Sequence, residues 1–270
     1  MSFFSGKVVI VTGSSNGIGR GTAVLFAKHG AKVTITGRNA ASLEETKKQC
    51  LQAGAKPDDI LELIGEITDA SFNESLITST VQKFGNLDIL VNNAGGSSVA
   101  NTGKGILDIP LEEFDQMIDL NVRQVLRLSK LAVPHLEKTK GAIVNVSSIT
   151  AALKLVPWPY YGASKASLDQ VTVQMAGSLI KKGIRVNSVN PGPVLTNALV
   201  TAGATKDQQD TMFGGMSDSK TIPLGRIGVP DDIGKIILFF ADRSQSEFLI
   251  GQILTADGGV MLKSAIFADA

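Results

Sequence analysis

The chain carries two tyrosines, Tyr160 and Tyr161, and only the second is followed four residues on by a lysine, in Tyr161-Gly162-Ala163-Ser164-Lys165. Residues four apart on a helix stand one above the other on the same face, so this spacing presents a phenol and an ammonium to one small volume. A serine, Ser148, lies thirteen residues upstream of Tyr161. These are the parts of an acid/base pair. A phenol ionises near pH 10, and three units of depression need roughly 4 kcal/mol of selective stabilisation of the phenolate, part of which a nearby ammonium supplies. Alone, Tyr-x-x-x-Lys is a short pattern with many chance matches and reads as a surface pair; the other motifs decide the matter.

A second set of residues opens the chain. The β-branched run 7–12 leads directly into Gly13-Ser14-Ser15-Asn16-Gly17-Ile18-Gly19 and then into a helical segment reaching His29. Glycine permits positive φ and lets the backbone approach a diphosphate, whose charge is received by the free N–H groups and positive dipole end of the helix that follows. The spacing Gly-x-x-x-Gly-x-Gly is one residue longer between its first two glycines than the usual dinucleotide fingerprint.

The elements that must position these groups alternate, strand then helix, from one end of the chain to the other. Strands are expected at 7–12, 32–37, 60–64, 89–92, 142–147, 185–190 and 253–256, with helices between them. That pattern predicts a single α/β domain over residues 1–270, a Rossmann-type doubly wound parallel sheet of about seven strands flanked by helices. In such a sheet the ligand lies beyond the carboxyl ends of the strands. Gly13 follows the first strand, Asn93 the fourth, Ser148 the fifth and Pro191 the sixth, so the motifs converge there. Asn121 sits inside the amphipathic segment after Pro110, and a helix interior has little use for an asparagine.

Composition agrees. A hydrophobic fraction of 43% and 28 glycines in 270 residues suit a buried parallel sheet with many tight turns. With 26 basic against 25 acidic residues the net charge is +1, which points to no nucleic-acid or anionic membrane partner. Cys50 stands alone, so neither an intrachain disulfide nor a paired-thiol metal site is expected. His29 and His135 lie toward helix ends, and no metal is called for. No basic leader, long apolar stretch or trusted address is visible, so the expectation is a soluble, cytoplasmic protein.

Five motifs occur in order: Thr12-Gly13-x-x-x-Gly17-x-Gly19, Asn92-Asn93-Ala94-Gly95, Ser148 thirteen before Tyr161, Tyr161-x-x-x-Lys165, and Asn190-Pro191-Gly192-Pro193-Val194-Leu195-Thr196. From about Lys7 to Met261 the chain resembles the short-chain dehydrogenase/reductase family. The resemblance implies catalysis by Asn121, Ser148, Tyr161 and Lys165: Tyr161 exchanges a proton with a carbonyl or alcohol oxygen, Ser148 orients that oxygen, Lys165 bonds the nicotinamide ribose and depresses the phenol pKa, and Asn121 holds a kink and a water. It implies cofactor contacts from Gly13, Ser14, Ser15, Asn16, Gly17, Ile18, Gly19, Asn93, Ala94, Gly95, Pro191, Gly192, Val194 and Thr196, besides Tyr161 and Lys165.

The nicotinamide cofactor is expected to be NADP(H). Where an NAD enzyme usually places an acid at the end of the second strand, this chain has Thr36-Gly37-Arg38-Asn39. No carboxylate repels a 2′-phosphate there, Arg38 can pair with one, and Ser14 and Ser15 could add hydroxyl donors. In the adenine pocket the family's aspartate is replaced by glutamate, in Glu66-Ile67. The stretch 197–224, with Met212, Phe213 and Met216, corresponds to the family's mobile lid; with Val156 and Trp158 it hints at an apolar pocket for a ketone or secondary alcohol, a sugar or polyol being the alternative. The carboxyl-terminal segment resembles the part through which related enzymes form homo-oligomers, tetramers or dimers. A nucleotide-binding regulator or scaffold without turnover is the reading from a different class, and the complete Asn121, Ser148, Tyr161, Lys165 set argues against it.

Overall fold

The computed structural model describes residues 3–153, 158–216 and 220–263, the side chains of Met212 and Met216 excepted. Its strands are β1 (Val8–Val11), β2 (Lys32–Gly37), β3 (Ile60–Ile64), β4 (Ile89–Asn92), β5 (Ala142–Val146), β6 (Arg185–Pro191) and β7 (Ile253–Ala256). All are parallel, in the order β3-β2-β1-β4-β5-β6-β7. The expected strands stand where the sequence put them, to within a residue at either end. The helices are α1 (Gly17–Lys28), α2 (Ala40–Gln52), α3 (Ala70–Phe84), α4 (Leu111–Ile118), α5 (Gln124–Thr139), α6 (Pro159–Leu179), α7 (Ala198–Thr201), α8 (Lys206–Met216), α9 (Pro230–Ala241) and α10 (Arg243–Ser246).

Alternation along each strand builds two cores, one on each face of the sheet. Val9 and Val11 of β1 pack with Phe26 of α1, Leu43 of α2 and Ile237 and Phe240 of α9. Their neighbours Val8 and Ile10 face the other way, onto Leu76 of α3, Leu128 and Leu136 of α5 and Met175 of α6. Fully apolar strands such as Val8–Val11 follow from this, because both faces are covered. The chain turns to β2 on one side of β1 and to β4 on the other, so a crevice opens between β1 and β4 at their carboxyl ends.

Two helix starts differ in a way that matters there. Asn39 and Asp69 cap α2 and α3, accepting from the backbone N–H groups of Ser42 and Ser71. Asn16 precedes α1 with extended backbone, and its side chain makes no such bond. The first-turn N–H groups of α1 are thus left facing the crevice without a side-chain cap.

Candidate active site

The glycine turn is shaped by close approach. Gly13 and Gly17 have φ of +62° and +54°, in the left-handed region. A Cβ at Gly19 would lie 2.3 Å from the Gly13 carbonyl oxygen and 2.4 Å from Asn93 Nδ2, so only glycine fits. Asn93 Nδ2 donates to the carbonyls of Thr12 (2.8 Å) and Gly13 (3.1 Å), while Thr12 Oγ1 accepts from the N–H groups of Asn93 and Ala94. The turns after β1 and β4 are therefore one cross-braced unit. This cradle, an uncapped helix start with no acidic residue in its first turn, fits a diphosphate.

At the end of β2, a Cβ on Gly37 would lie 2.7 Å from Ser15 Cβ, so a carboxylate-bearing side chain is shut out by the packing of the first turn. Arg38 is exposed and its Nη1 donates to Glu66 Oε2 at 3.3 Å. The expectation for Ser14 needs correction. Its side chain is fully buried and its Oγ accepts from the Thr36 N–H at 2.8 Å, within bonding distance of the Thr36 carbonyl, so the hydroxyl joins β1 to β2 rather than facing a phosphate. The Ile67 carbonyl likewise is taken by Asn73 Nδ2 at 2.7 Å, which leaves that residue its N–H.

The two tyrosines separate cleanly. Tyr160 is buried against Phe114, and its hydroxyl donates to the carbonyls of Ile106 and Ile109. Tyr161 turns the other way, toward Ser148, whose hydrogen bond pulls its pKa down against the larger effect of burial, which pushes the phenol above its ordinary value. Depression of the phenol by Lys165 was the expectation; in the protein alone, burial dominates. Lys165 lies with its Nζ 5.8 Å from the Tyr161 ring centre, donating to the Val146 carbonyl at 3.0 Å. Burial brings the ammonium down to about 8, with the charge of Asp169 working in the opposite direction.

Adjacent serines also diverge. Ser147 Oγ donates to the Lys165 carbonyl at 3.2 Å, behind the site. Ser148 Oγ accepts from the Thr150 N–H at 3.2 Å and keeps its proton to give. Asn121 sits in a single turn of π-helix, Asp119–Arg123, between α4 and α5. Its Oδ1 accepts from the Gly96 N–H at 3.0 Å, and its Nδ2 donates to the Gly96 carbonyl (2.9 Å) and to Ser164 Oγ (3.1 Å). The helical anomaly in the sequence is thus a real kink. Gly95 fills the space between them: a Cβ there would lie 2.7 Å from Asn121 Oδ1 and 3.2 Å from Lys165 Nζ.

Pro191 ends β6 beside Ala256, Gly192 packs on Asp257 with no room for a Cβ, Val194 bridges to Gly228, and Thr196 lies against Gly17. This segment closes the crevice opposite the glycine turn. The stretch 197–224 forms α7 and α8, and the Ala202 carbonyl accepts from the Val99 N–H at 3.3 Å. Val156 and the side chains of Met212 and Met216 lie outside the described residues. Trp158 lines a hollow of about 290 Å³ with Thr150, Ala151 and Leu153, the segment that follows Ser148, and with Gly162, Ala163 and Ala166 of α6. Sequence reasoning missed Asp169 and Asn190 as neighbours of the site; a polar residue one turn beyond Lys165 was the available signal.

A parallel sheet with a diphosphate cradle at its switch point, and a phenol and an ammonium beside it, define a nicotinamide-dependent oxidoreductase of the Rossmann type. The family profile for enoyl-(acyl carrier protein) reductase matches residues 13–261. The fold superposes on a short-chain dehydrogenase/reductase of unknown function from Caenorhabditis elegans, solved with cofactor, with a TM-score of 0.94 at 42% identity over 99% of this chain and 100% of that one. Glucose dehydrogenase of Caenorhabditis elegans, solved without cofactor, gives 0.82 at 44% identity over 96% and 99%. In sequence, 3-oxoacyl-(acyl-carrier-protein) reductase of Thermotoga maritima is 32% identical over 95% of this chain and 98% of its own length. The chain belongs to the short-chain dehydrogenase/reductase family and is an oxidoreductase of CH–OH and C=O groups that uses a nicotinamide cofactor. Among the described residues no helix is long and apolar enough to cross a membrane.

Proposed function

We propose that this chain is an NADP(H)-dependent reductase of ketones, or dehydrogenase of the matching secondary alcohols, with Tyr161 as its acid/base. The observation that carries the reading is the meeting of Ser148, Tyr161, Lys165 and the Asn121 turn at the carboxyl ends of β4 and β5. When bound, the cofactor gives or accepts a hydride at its nicotinamide ring. The protein does the rest. Ser148 Oγ, already accepting from Thr150, donates to the substrate oxygen and holds it beside Tyr161 Oη. In reduction the phenol gives that oxygen its proton; in oxidation the phenolate takes it back. Lys165 Nζ has one proton on the Val146 carbonyl and others to offer a ribose.

Preference for NADP(H) is supported by Arg38, exposed at the end of β2, and by the exclusion of any side chain at Gly37. The turn 13–19, with the backbone of Ser14, Ser15, Asn16 and Ile18, receives the diphosphate in this reading. Glu66 and Ile67 would hold the adenine, Asn93, Ala94 and Gly95 the inner ribose, and Pro191, Gly192, Val194 and Thr196 the nicotinamide. Assembly into dimers or tetramers belongs to the same reading, supported by Leu254 exposed on the edge strand β7 and Val173 exposed on α6.

The second reading is a sugar or polyol dehydrogenase. It is favoured by the likeness to glucose dehydrogenase. One experiment separates these: cofactor oxidation or reduction across ketones, sugars and polyols, with NADPH or NADP+ and NADH or NAD+ in parallel and Tyr161→Phe as control. Turnover that prefers the phosphorylated cofactor and vanishes in the variant is expected. Tight binding with no turnover on any compound would move the weight to a nucleotide-binding scaffold.

A further inference from the structure

One half-buried acid beside the site has no part in the chemistry above. Asp169 lies on α6 one turn beyond Lys165, on the same face. Its Oδ2 accepts from Asn190 Nδ2 at 2.6 Å, while its Oδ1 is buried without a hydrogen-bond partner. Asn190 is the residue before Pro191-Gly192, the turn that covers the crevice, and its own Oδ1 accepts from Ser188 Oγ at 3.0 Å. Ser147, whose hydroxyl now donates to the Lys165 carbonyl, is close enough to favour the carboxylate, and a rotation of that hydroxyl would serve it. Carboxylate, amide and hydroxyl thus join the lysine's helix to the ends of β5 and β6.

We propose that Asp169 is the positioning residue of Lys165: an anion held by Asn190 that keeps the lysine charged inside the protein and fixes its helix against the turn at Pro191. The physical case is simple. A lysine this deeply buried loses most of its hydration; the hydrogen bond to the Val146 carbonyl offsets part of that loss, and an opposite charge in the same low-dielectric region offsets more. Around Lys165 stand Tyr161 from its own helix, the Val146 carbonyl from β5, Gly95 from the loop after β4, and Asn121 beyond Gly95 on the π turn. All of these are uncharged while the phenol is protonated. Asp169 is the group whose charge favours the ammonium; burial raises its own carboxyl above the ordinary value, and Ser147, Asn190 and the ammonium work against that rise.

The inference rests on the proposed role of Lys165, but its test does not need the enzyme to turn over. In cofactor-free protein the 13Cε resonance of Lys165, assigned by its loss in Lys165→Met, is titrated from pH 6 to 11. The unmutated protein is expected to show a midpoint near 8. Asp169→Asn is expected to lower it by about half a unit or more, and Asp169→Glu to restore it. A midpoint unmoved or raised by Asp169→Asn would overturn the proposal. A readout without any change at position 169 is the carboxyl carbon of Asp169 itself, expected to report an ionised group at pH 7; a carboxyl still protonated there would also overturn it. NADPH affinity, followed in the same samples, is expected to fall about three- to tenfold at pH 8 in Asp169→Asn and to recover in Asp169→Glu. An unmutated protein that binds neither NADPH nor NADH would reject the proposed function, while the lysine midpoints still decide the role of Asp169.

Discussion

Replacing Gly19 with alanine tests whether the cradle is set by close backbone approach. The added methyl would lie 2.3 Å from the Gly13 carbonyl oxygen and 2.4 Å from Asn93 Nδ2, against an ordinary separation of about 3.5 Å, so it overlaps both by roughly 1 Å. Neither neighbour yields cheaply. The Gly13 oxygen belongs to backbone already at φ +62°, and Asn93 Nδ2 is fixed by bonds to the Thr12 and Gly13 carbonyls. Overpacking of this kind costs about 1–3 kcal/mol, and the loss of one or two of these hydrogen bonds adds about 1 kcal/mol each, so roughly 2–5 kcal/mol is at stake.

Part of that cost appears as stability and part as a turn displaced from the diphosphate. At about 2–4 °C per kcal/mol for a domain of this size, Tm is expected to fall by several degrees or more. NADPH affinity is expected to drop at least about tenfold, the equivalent of 1.4 kcal/mol. The assay is thermal unfolding with and without NADPH, together with a fluorescence titration of the cofactor. Gly214→Ala is the control: that glycine is exposed on α8 with nothing within 4 Å of its added carbon, and helix propensity predicts a gain of up to about 1 kcal/mol. A Gly19→Ala protein with unchanged Tm and NADPH affinity within about threefold of the parent would refute the close-approach argument.

Tyr161→Phe is expected to reduce turnover by about 10²–10⁴-fold or more while leaving NADPH affinity nearly intact, measured by steady-state kinetics beside cofactor titration. Arg38→Ala is expected to weaken NADPH about 10- to 150-fold, the worth of a charged hydrogen bond, with little effect on NADH; equal losses for both would remove the phosphate role. Glu66→Gln releases Arg38 from an exposed pair worth about 0.2–1 kcal/mol, so NADPH affinity is expected to rise by up to about fivefold in a direct titration. Lys165 has a folded pKa of about 8 against an ordinary 10.5, so below pH 8 its burial opposes folding by roughly 3 kcal/mol. Between 8 and 10.5 the unfolded chain holds a proton the folded one has shed, and this penalty fades as pH rises. Lys165→Met is therefore expected to be more stable than the parent at pH 7 by about 2 kcal/mol after the lost Val146 bond, with the gap closing above pH 10 in urea unfolding.

Strands and motifs were legible because each carries its cause locally. A β-branched run with both faces buried, as at Val8–Val11, has no other stable use, and the glycines of the first turn announce a backbone that must pass close to something. The choice of Tyr161 over Tyr160 and of Ser148 over Ser147 came from intervals shared with the family; in the fold Tyr160 bonds the Ile106 and Ile109 carbonyls, Ser147 bonds the Lys165 carbonyl, and Tyr161 and Ser148 face each other. What stayed hidden was the direction of side chains whose partners lie far off in sequence. Ser14 is surrounded by polar loop residues in the sequence, but β2 lies beside it in the fold and takes its hydroxyl. Asp169 meets Asn190 twenty-one residues away because α6 packs on β6, and no local pattern marks that contact.

The electrostatics of the crevice explain why a complete geometry is not yet a complete acid/base device. Burial favours the neutral form of every group it covers, so it raises the phenol of Tyr161 and lowers the ammonium of Lys165 at the same time. Both shifts work against a phenolate. Ser148 opposes the first by donating to the phenol oxygen, and Asp169 opposes the second. In the mechanism proposed above, the free protein therefore holds Tyr161 protonated, the form that reduction of a carbonyl would consume. Oxidation of an alcohol needs the phenolate, and with it either a higher pH or additional positive charge brought into the crevice. A site arranged this way has an acid limb set by groups of its own chain and a base limb that depends on keeping Lys165 charged. The residues that decide its working pH are accordingly those behind the lysine as much as the phenol in front of it.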